Sequence, residues 1–281
     1  MRFAASLLLW LITTAALAVA IPAGWMQRHV IDADGYVTLA QHAATDPALQ
    51  SAVAAQLSTQ ATVLITERGG TVDDSLVRQV AAGYTSGPDF PGQFAHVNRI
   101  AHRWMFTTTA DGEQLTVDVA PMLNDTAFHQ FLDHYDVSVP ATVTVPVTAV
   151  PPDLPVLRPG RLRLLRVWGP AISIGAAALT AIAAAGTLIL ARRRGTALAA
   201  LGVSALLVGG AGWAGIEVGR GYLGELLTDT TGDIRRIADV MVGHAVGSAH
   251  QWLNLTLATG GALVVVGMFA AVLGGLRRHE G

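Results

Sequence analysis

The 281-residue chain contains no cysteine and no lysine. Without cysteine there is no disulfide framework, no thiolate metal site and no thiol nucleophile. Without lysine there is no Schiff-base or P-loop amine, and every fixed positive charge is an arginine. The abundance of Ala, Gly and Val beside this reads as coding bias in a GC-rich genome. Charge is sparse as well, at 14% of residues. Catalytic signatures are missing too. There is no G-x-S-x-G elbow, H-E-x-x-H helix or P-loop, and no dinucleotide fingerprint of the kind that needs a glycine turn between strand and helix.

What is present is apolar length. The chain is 52% hydrophobic with a mean hydropathy of +0.46, too apolar for an ordinary soluble domain. Four runs stand out: Phe3 to Trp25, Val167 to Ala191, Ala197 to Val218 and Trp252 to Leu276. A helix rises about 1.5 Å per residue, so about 20 apolar residues cross a hydrocarbon core of about 30 Å. Each run meets that length. The expected class is a membrane α-helical protein with four transmembrane helices and a mixed α+β extracytoplasmic domain.

Charge at the ends of the runs sets the orientation. Arg192, Arg193 and Arg194 lie in the tight link between the two middle runs. Basic residues in short loops stay on the cytoplasmic side. Arg2 before the first run, and Arg277 and Arg278 after the last, agree with it. Both termini are then cytoplasmic, and residues 26–166 and 219–251 are extracytoplasmic. Trp25, Trp168 and Trp252 fall at the outer boundary, where indole is favoured. Against this stand Arg158, Arg161, Arg163 and Arg166, which precede the second run on the outer side. The rule is weak for long translocated loops.

The expected organisation follows: residues 1–25 a first transmembrane helix, 26–157 an extracytoplasmic α+β head, and 158–218 a basic collar with a transmembrane hairpin. Residues 219–251 form an extracytoplasmic helical hairpin, and 252–281 a fourth transmembrane helix with a cytoplasmic tail. The first run reads as a signal anchor with Pro22 at its outer end. Ala18-Val19-Ala20 keeps a cleaved signal peptide open as the alternative. Between Trp25 and Val156 there are 14 acidic residues against five arginines, a net of −9. So acidic a head excludes nucleic acid as a partner. The four collar arginines are candidates for lipid headgroups, or simply snorkel at a helix end.

Within the head, Asp34 is expected to cap a helix over Tyr36 to Ala44. Asp46-Pro47 opens a second that ends at Gly69-Gly70, and Asp73 or Asp74 opens a third that ends at Ala82. A fourth follows Pro91, with Phe94, Val97, Ala101, Trp104 and Met105 on its apolar face and Asn98, Arg99, His102 and Arg103 opposite. Asp111-Gly112 signals a hairpin. Leu115, Val117 and Val119 alternate as a strand, Pro121 to Tyr135 reads as a short helix, and Val137 to Val150, broken by Pro140 and Pro146, as an edge strand or bulge. Beyond the third membrane run, Thr228 to Asp233 reads as a turn between two helices that continue outward, with Arg235 and Arg236 within reach of head carboxylates.

Several short strings occur in order between the first span and the later bundle: Asp32 to Val37, Asp46-Pro47-Ala48-Leu49-Gln50, Asn98-Arg99-Ile100-Ala101-His102 and Val117-Asp118-Val119-Ala120-Pro121. In this the chain, over residues 1–190, resembles a group of actinobacterial integral membrane proteins of unassigned function. The resemblance implies an external head in the cell envelope and no catalytic residues.

Candidate sites are few. Asn98 and His102 are four apart and share a helix face; with Asp118 they form the one candidate binding set. Histidines spaced five or six apart do not share a face, so no metal site and no cofactor are expected. Glu217, the lone acid near a span interior, is expected to pair with Arg220. Asn254, Thr256 and Thr259 are too few to line a polar pathway. Gly215 and Gly219 stand at close-packing spacing. The leading expectation is a non-enzymatic envelope protein, in contact with membrane lipids, whose acidic head binds a protein partner. The alternative is an accessory component of a transport or lipid-handling system.

Overall fold

The computed structural model describes residues 2–106, 116–146, 162–191, 193–226 and 232–276. The Asp111-Gly112 turn, the Thr228–Thr231 turn, Leu115, Val147 to Val150, Arg158, Arg161, Arg192, Arg277 and Arg278 lie outside these. Among the described residues four helices are long and apolar enough to cross a membrane: Ala4–Ile31, Arg163–Leu190, Arg194–Tyr222 and Asp233–Leu273. The chain divides into two compact units.

The first unit comprises residues 1–31, 165–222 and 246–281. It contains α1 (Arg2–Met26), most of α8 (Arg163–Leu190) and α9 (Arg194–Leu226), and the later part of α10 (Asp233–Leu276). The α1 helix runs straight through Pro22 and ends in a π-turn, Gln27–Ile31. Pro22 lies inside the helix, four residues before the end of α1, its missing N–H tolerated as often happens in membrane helices. Side chains such as Ile182, Ile189 and Leu255 are at least 70% exposed. A surface this apolar fits a hydrocarbon surround, not water.

The α9 helix is the centre of this unit, with 33% of its apolar window buried against 11% in the other three. Its contact with α10 is made by glycine. Gly195, Gly202 and Gly209 recur every seven residues; Gly195 meets Gly267 and Gly202 meets Gly260, also seven apart, while Gly209 takes the Leu257 side chain. A methyl on Gly202 would stand 2.6 Å from the Gly260 carbonyl oxygen and 2.7 Å from the Val264 nitrogen. Seven-residue spacing keeps one seam facing its neighbour in a left-handed crossing. The stripe expected from the sequence is different: Gly215 and Gly219 face open space. Helix α1 meets α9 through Trp10 Nε1, which donates to the Ala200 carbonyl at 2.9 Å, and through a 2.8 Å bond between the Thr14 and Ser204 hydroxyls.

The second unit comprises residues 32–164 and 223–245. Its helices are α2 (Ala33–Ala43), α3 (Pro47–Glu67), α4 (Asp74–Thr85), α5 (Phe90–Phe106), α6 (Ala120–Leu123) and α7 (Thr126–Asp133). Aspartate starts four of them. Asp32, Asp46, Asp73 and Asp125 each accept a backbone N–H two residues on, satisfying donors the helix cannot. The first cap is Asp32, not Asp34; Asp34 sits inside the first turn and binds Arg99 at 2.7 Å. Helix α3 stops where expected. Gly69 takes φ +79°, and the Gly70 N–H returns to the Ile65 carbonyl, the double-bonded glycine stop. Helix α4 passes Gly83 and ends at Thr85.

Among the described residues the head is mainly helical, not the mixed α+β domain expected. The only sheet among the described residues is β1 (Thr116–Asp118) paired antiparallel with β2 (Thr144–Pro146), with Val117 opposite Val145. Val119 leaves the strand to open α6, and the helix expected over Pro121 to Tyr135 is two, broken at Asn124-Asp125. Pro146, on this two-stranded ribbon, sits where a missing N–H costs least. The core is helical: Leu49, Leu57 and Ile65 of α3, Val77 of α4, Phe90 of α5, and Phe128 and Leu132 of α7 are essentially fully buried. The first turns of α10 belong to this unit. Ile234, Ile237, Val240 and Met241 pack on its core.

Candidate functional site

The contacts of the candidate set Asn98, His102 and Asp118 differ in kind, side-chain and ring contacts for the first two and backbone amides for the third. Asn98 and His102 do share a cluster, reached from α2 and α5. Asn98 Nδ2 donates to the Phe94 carbonyl at 2.9 Å, and its Oδ1 accepts from the Tyr36 hydroxyl at 3.3 Å. The His102 ring stacks on Phe106 at 4.5 Å and tilts against Tyr36 at 5.2 Å. His102 is only 4% exposed. The apolar face of α5 is therefore Phe90, Phe94, Val97, His102 and Phe106, and His102 lies on it rather than opposite. Burial raises the Tyr36 pKa, keeping its phenol protonated. Asp118 serves the backbone: its Oδ1 accepts from Ala120 N at 3.0 Å and from Val143 N at 2.9 Å. It fastens the end of β1 to the chain entering β2.

A second polar contact brings distant sequence together. Asp46, the α3 cap, also receives His244 Nε2 of α10 at 3.1 Å on its other oxygen. The Ala48 amide first, then His244, hold the Asp46 carboxyl below its ordinary value. So one aspartate begins α3 and holds α10 to it. Arg235 and Arg236, expected within reach of head carboxylates, also have acids on their own helix: Arg235 lies 3.7 Å from Asp239, and Arg236 3.8 Å from Asp233.

A third cluster joins α9 and α10 in the other unit. Glu217 Oε1 lies 3.9 Å from Arg220 Nη1, the pairing expected, and 3.7 Å from His250 Nε2. His250 stacks flat on Trp213, with ring centres 4.1 Å apart, and Trp213 Nε1 donates to Asn254 Oδ1 at 3.3 Å. His250 Nε2 is buried without a hydrogen bond. The sequence did carry a signal for this. Trp213 and Glu217, like His250 and Asn254, are four apart and share a face; what it lacked was the pairing of the two faces. Nearby on α9, Gly210-Ala211-Gly212-Trp213-Ala214-Gly215 has the spacing of a dinucleotide fingerprint. It lies inside a continuous helix, where no amide is free to cradle phosphate.

Of the arginines singled out by position, Arg163 and Arg166 are exposed in the first turn of α8, and Arg193 and Arg194 are exposed at the start of α9. No group of three or more His, Asp or Glu side chains able to hold a metal occurs among the described residues. Comparison with protein-family models, curated proteins and solved structures returns no match.

Proposed function

We propose that the protein is a non-enzymatic integral membrane protein of the cell envelope whose acidic helical head is extracytoplasmic and docks a protein partner. The observation that carries the reading is how the head uses its polar groups. Asn98, His102 and Asp118 are spent on packing and on backbone bonds, whereas acids such as Asp74, Asp89 and Asp133 are exposed on a well-packed body. Exposed carboxylates on a rigid surface favour encounter with a basic partner and reject acidic ones.

Two measurements test it. Ser51 and Thr196 are both exposed, so cysteines placed there one at a time report sidedness to an impermeant thiol reagent in intact cells. Labelling of Ser51→Cys but not of Thr196→Cys is expected; the reverse pattern overturns the orientation. Crosslinking from the head in cells is expected to trap a discrete species that disappears when Asp74, Asp89 and Asp133 are changed to asparagine. No species above background, or one indifferent to those charges, ends the docking reading.

A further inference from the structure

In the first unit, helices α1, α9 and α10 wall an apolar, half-open cavity of about 650 Å³. Its lining runs from Thr14 to Met26 along α1, which is about 18 Å of helix. Small residues form its walls, with Ala18 on α1, Ala211 and Gly212 on α9 and Ala249 on α10, while Trp25 and Trp252 supply bulk. Pro22 follows Ala18 by one turn and also lines it. Polar demand is already met. The Thr14 hydroxyl is bonded to the Trp10 carbonyl and to Ser204, and Trp25 Nε1 donates to Ser248 at 3.3 Å.

The geometry points to this cavity as the seat of one hydrocarbon chain of a bilayer glycerophospholipid. Each candidate occupant can be weighed by size and polarity. Water does not settle in a cavity that offers it no hydrogen bonds. A helix from a second copy is about 10 Å across with a 5.4 Å pitch, so a single turn takes roughly 400 Å³; the cavity holds little more than that. A methylene is close in size to a water molecule, whose share of liquid volume is about 30 Å³, so about twenty chain carbons fill the space. The walls belong to helices that are long and apolar enough to cross a membrane, where phospholipid chains are the surrounding solvent. This site is independent of what the head binds and gives the membrane unit a ligand of its own.

The test uses the full-length protein in phosphatidylethanolamine and phosphatidylglycerol vesicles containing a trace of phospholipid with a photoreactive group at its chain end. After illumination the labelled residues are mapped by mass spectrometry. Labelling of Ala18, Ile21, Val208 and Ala211 is expected to exceed that of Leu8 and Ile182, which face outward at 59% and 71% exposure, by fivefold or more. Ala211→Phe fills the cavity and is expected to cut cavity labelling at least fivefold while leaving Leu8 and Ile182 unchanged. Ala18→Leu, on the opposite wall, gives the same answer should the phenylalanine variant fail to fold. Equal labelling of cavity and outward residues overturns the proposal. So does labelling indifferent to either variant in a protein that stays folded, or a photoproduct that joins cavity residues to a second copy of the chain.

Discussion

Single residues in this chain are decided by what surrounds them more than by their type. His102 looks polar in a helical projection of α5, yet Tyr36 and Phe106 enclose it. An imidazole tolerates this because its flat ring packs like an aromatic one while its nitrogens still bond. Tyr36 shows the same balance. Its hydroxyl reaches Asn98 at 3.3 Å, a long bond, so Tyr36→Phe is expected to cost only about 1 kcal/mol. Thermal unfolding of the detergent-solubilised protein measures it. Ultraviolet titration of the same variant should lose one late-ionising phenol, since burial holds Tyr36 above the ordinary 10.0. A variant that instead lost an early-titrating phenol would show that Tyr36 is wet.

At the scale of elements, local rules worked where they act locally. The Asp46-Pro47 start of α3 and its Gly69-Gly70 stop were legible because cap and turn chemistry involve only neighbours in sequence. Asp125 is the same kind of residue, and Asp125→Ala is expected to cost about 1 kcal/mol. Helix pairing is not local. Glycine is common along the later helices, so spacing alone made Gly215 and Gly219 as attractive as Gly195, Gly202 and Gly209. Only the approach of α10 separates them. Gly202→Ala puts a methyl 2.6 Å from a backbone oxygen that cannot yield. Its thermal midpoint should fall by several degrees. Gly215→Ala meets open space and gains helix propensity of up to about 1 kcal/mol, so its midpoint should hold or rise. Equal losses in both variants would place Gly215 in a packed contact.

On the scale of the whole molecule, stability should depend on pH at both extremes. Asp46 is held below its ordinary 3.8 by the Ala48 amide and then by His244, and Asp73 by the Ser75 hydroxyl and amide. Such carboxylates contribute stability that is fully present above 3.8 and is lost as pH falls below it, because the unfolded chain then binds more protons. Tyr36 and Tyr84 are raised above 10.0 by burial, Tyr84 further by Asp125 and Asp89. Their contribution is present below 10.0 and is lost above it. A thermal midpoint scanned against pH should therefore fall on both flanks, and Asp46→Asn should flatten the acid flank. An unchanged acid flank would mean that Asp46 gains nothing from its partners on folding. The four long apolar helices, the Asp46-Pro47 start of α3 and the acidity of the head were settled by sequence alone, because hydrophobic length, neighbour chemistry and charge count need no third dimension. The α9–α10 seam, the burial of His102, the reach of His244 to Asp46 and the helical rather than mixed head were settled only by tertiary structure. Each depends on which surfaces meet across long separations in the chain, and many residues with the same local pattern compete for those places.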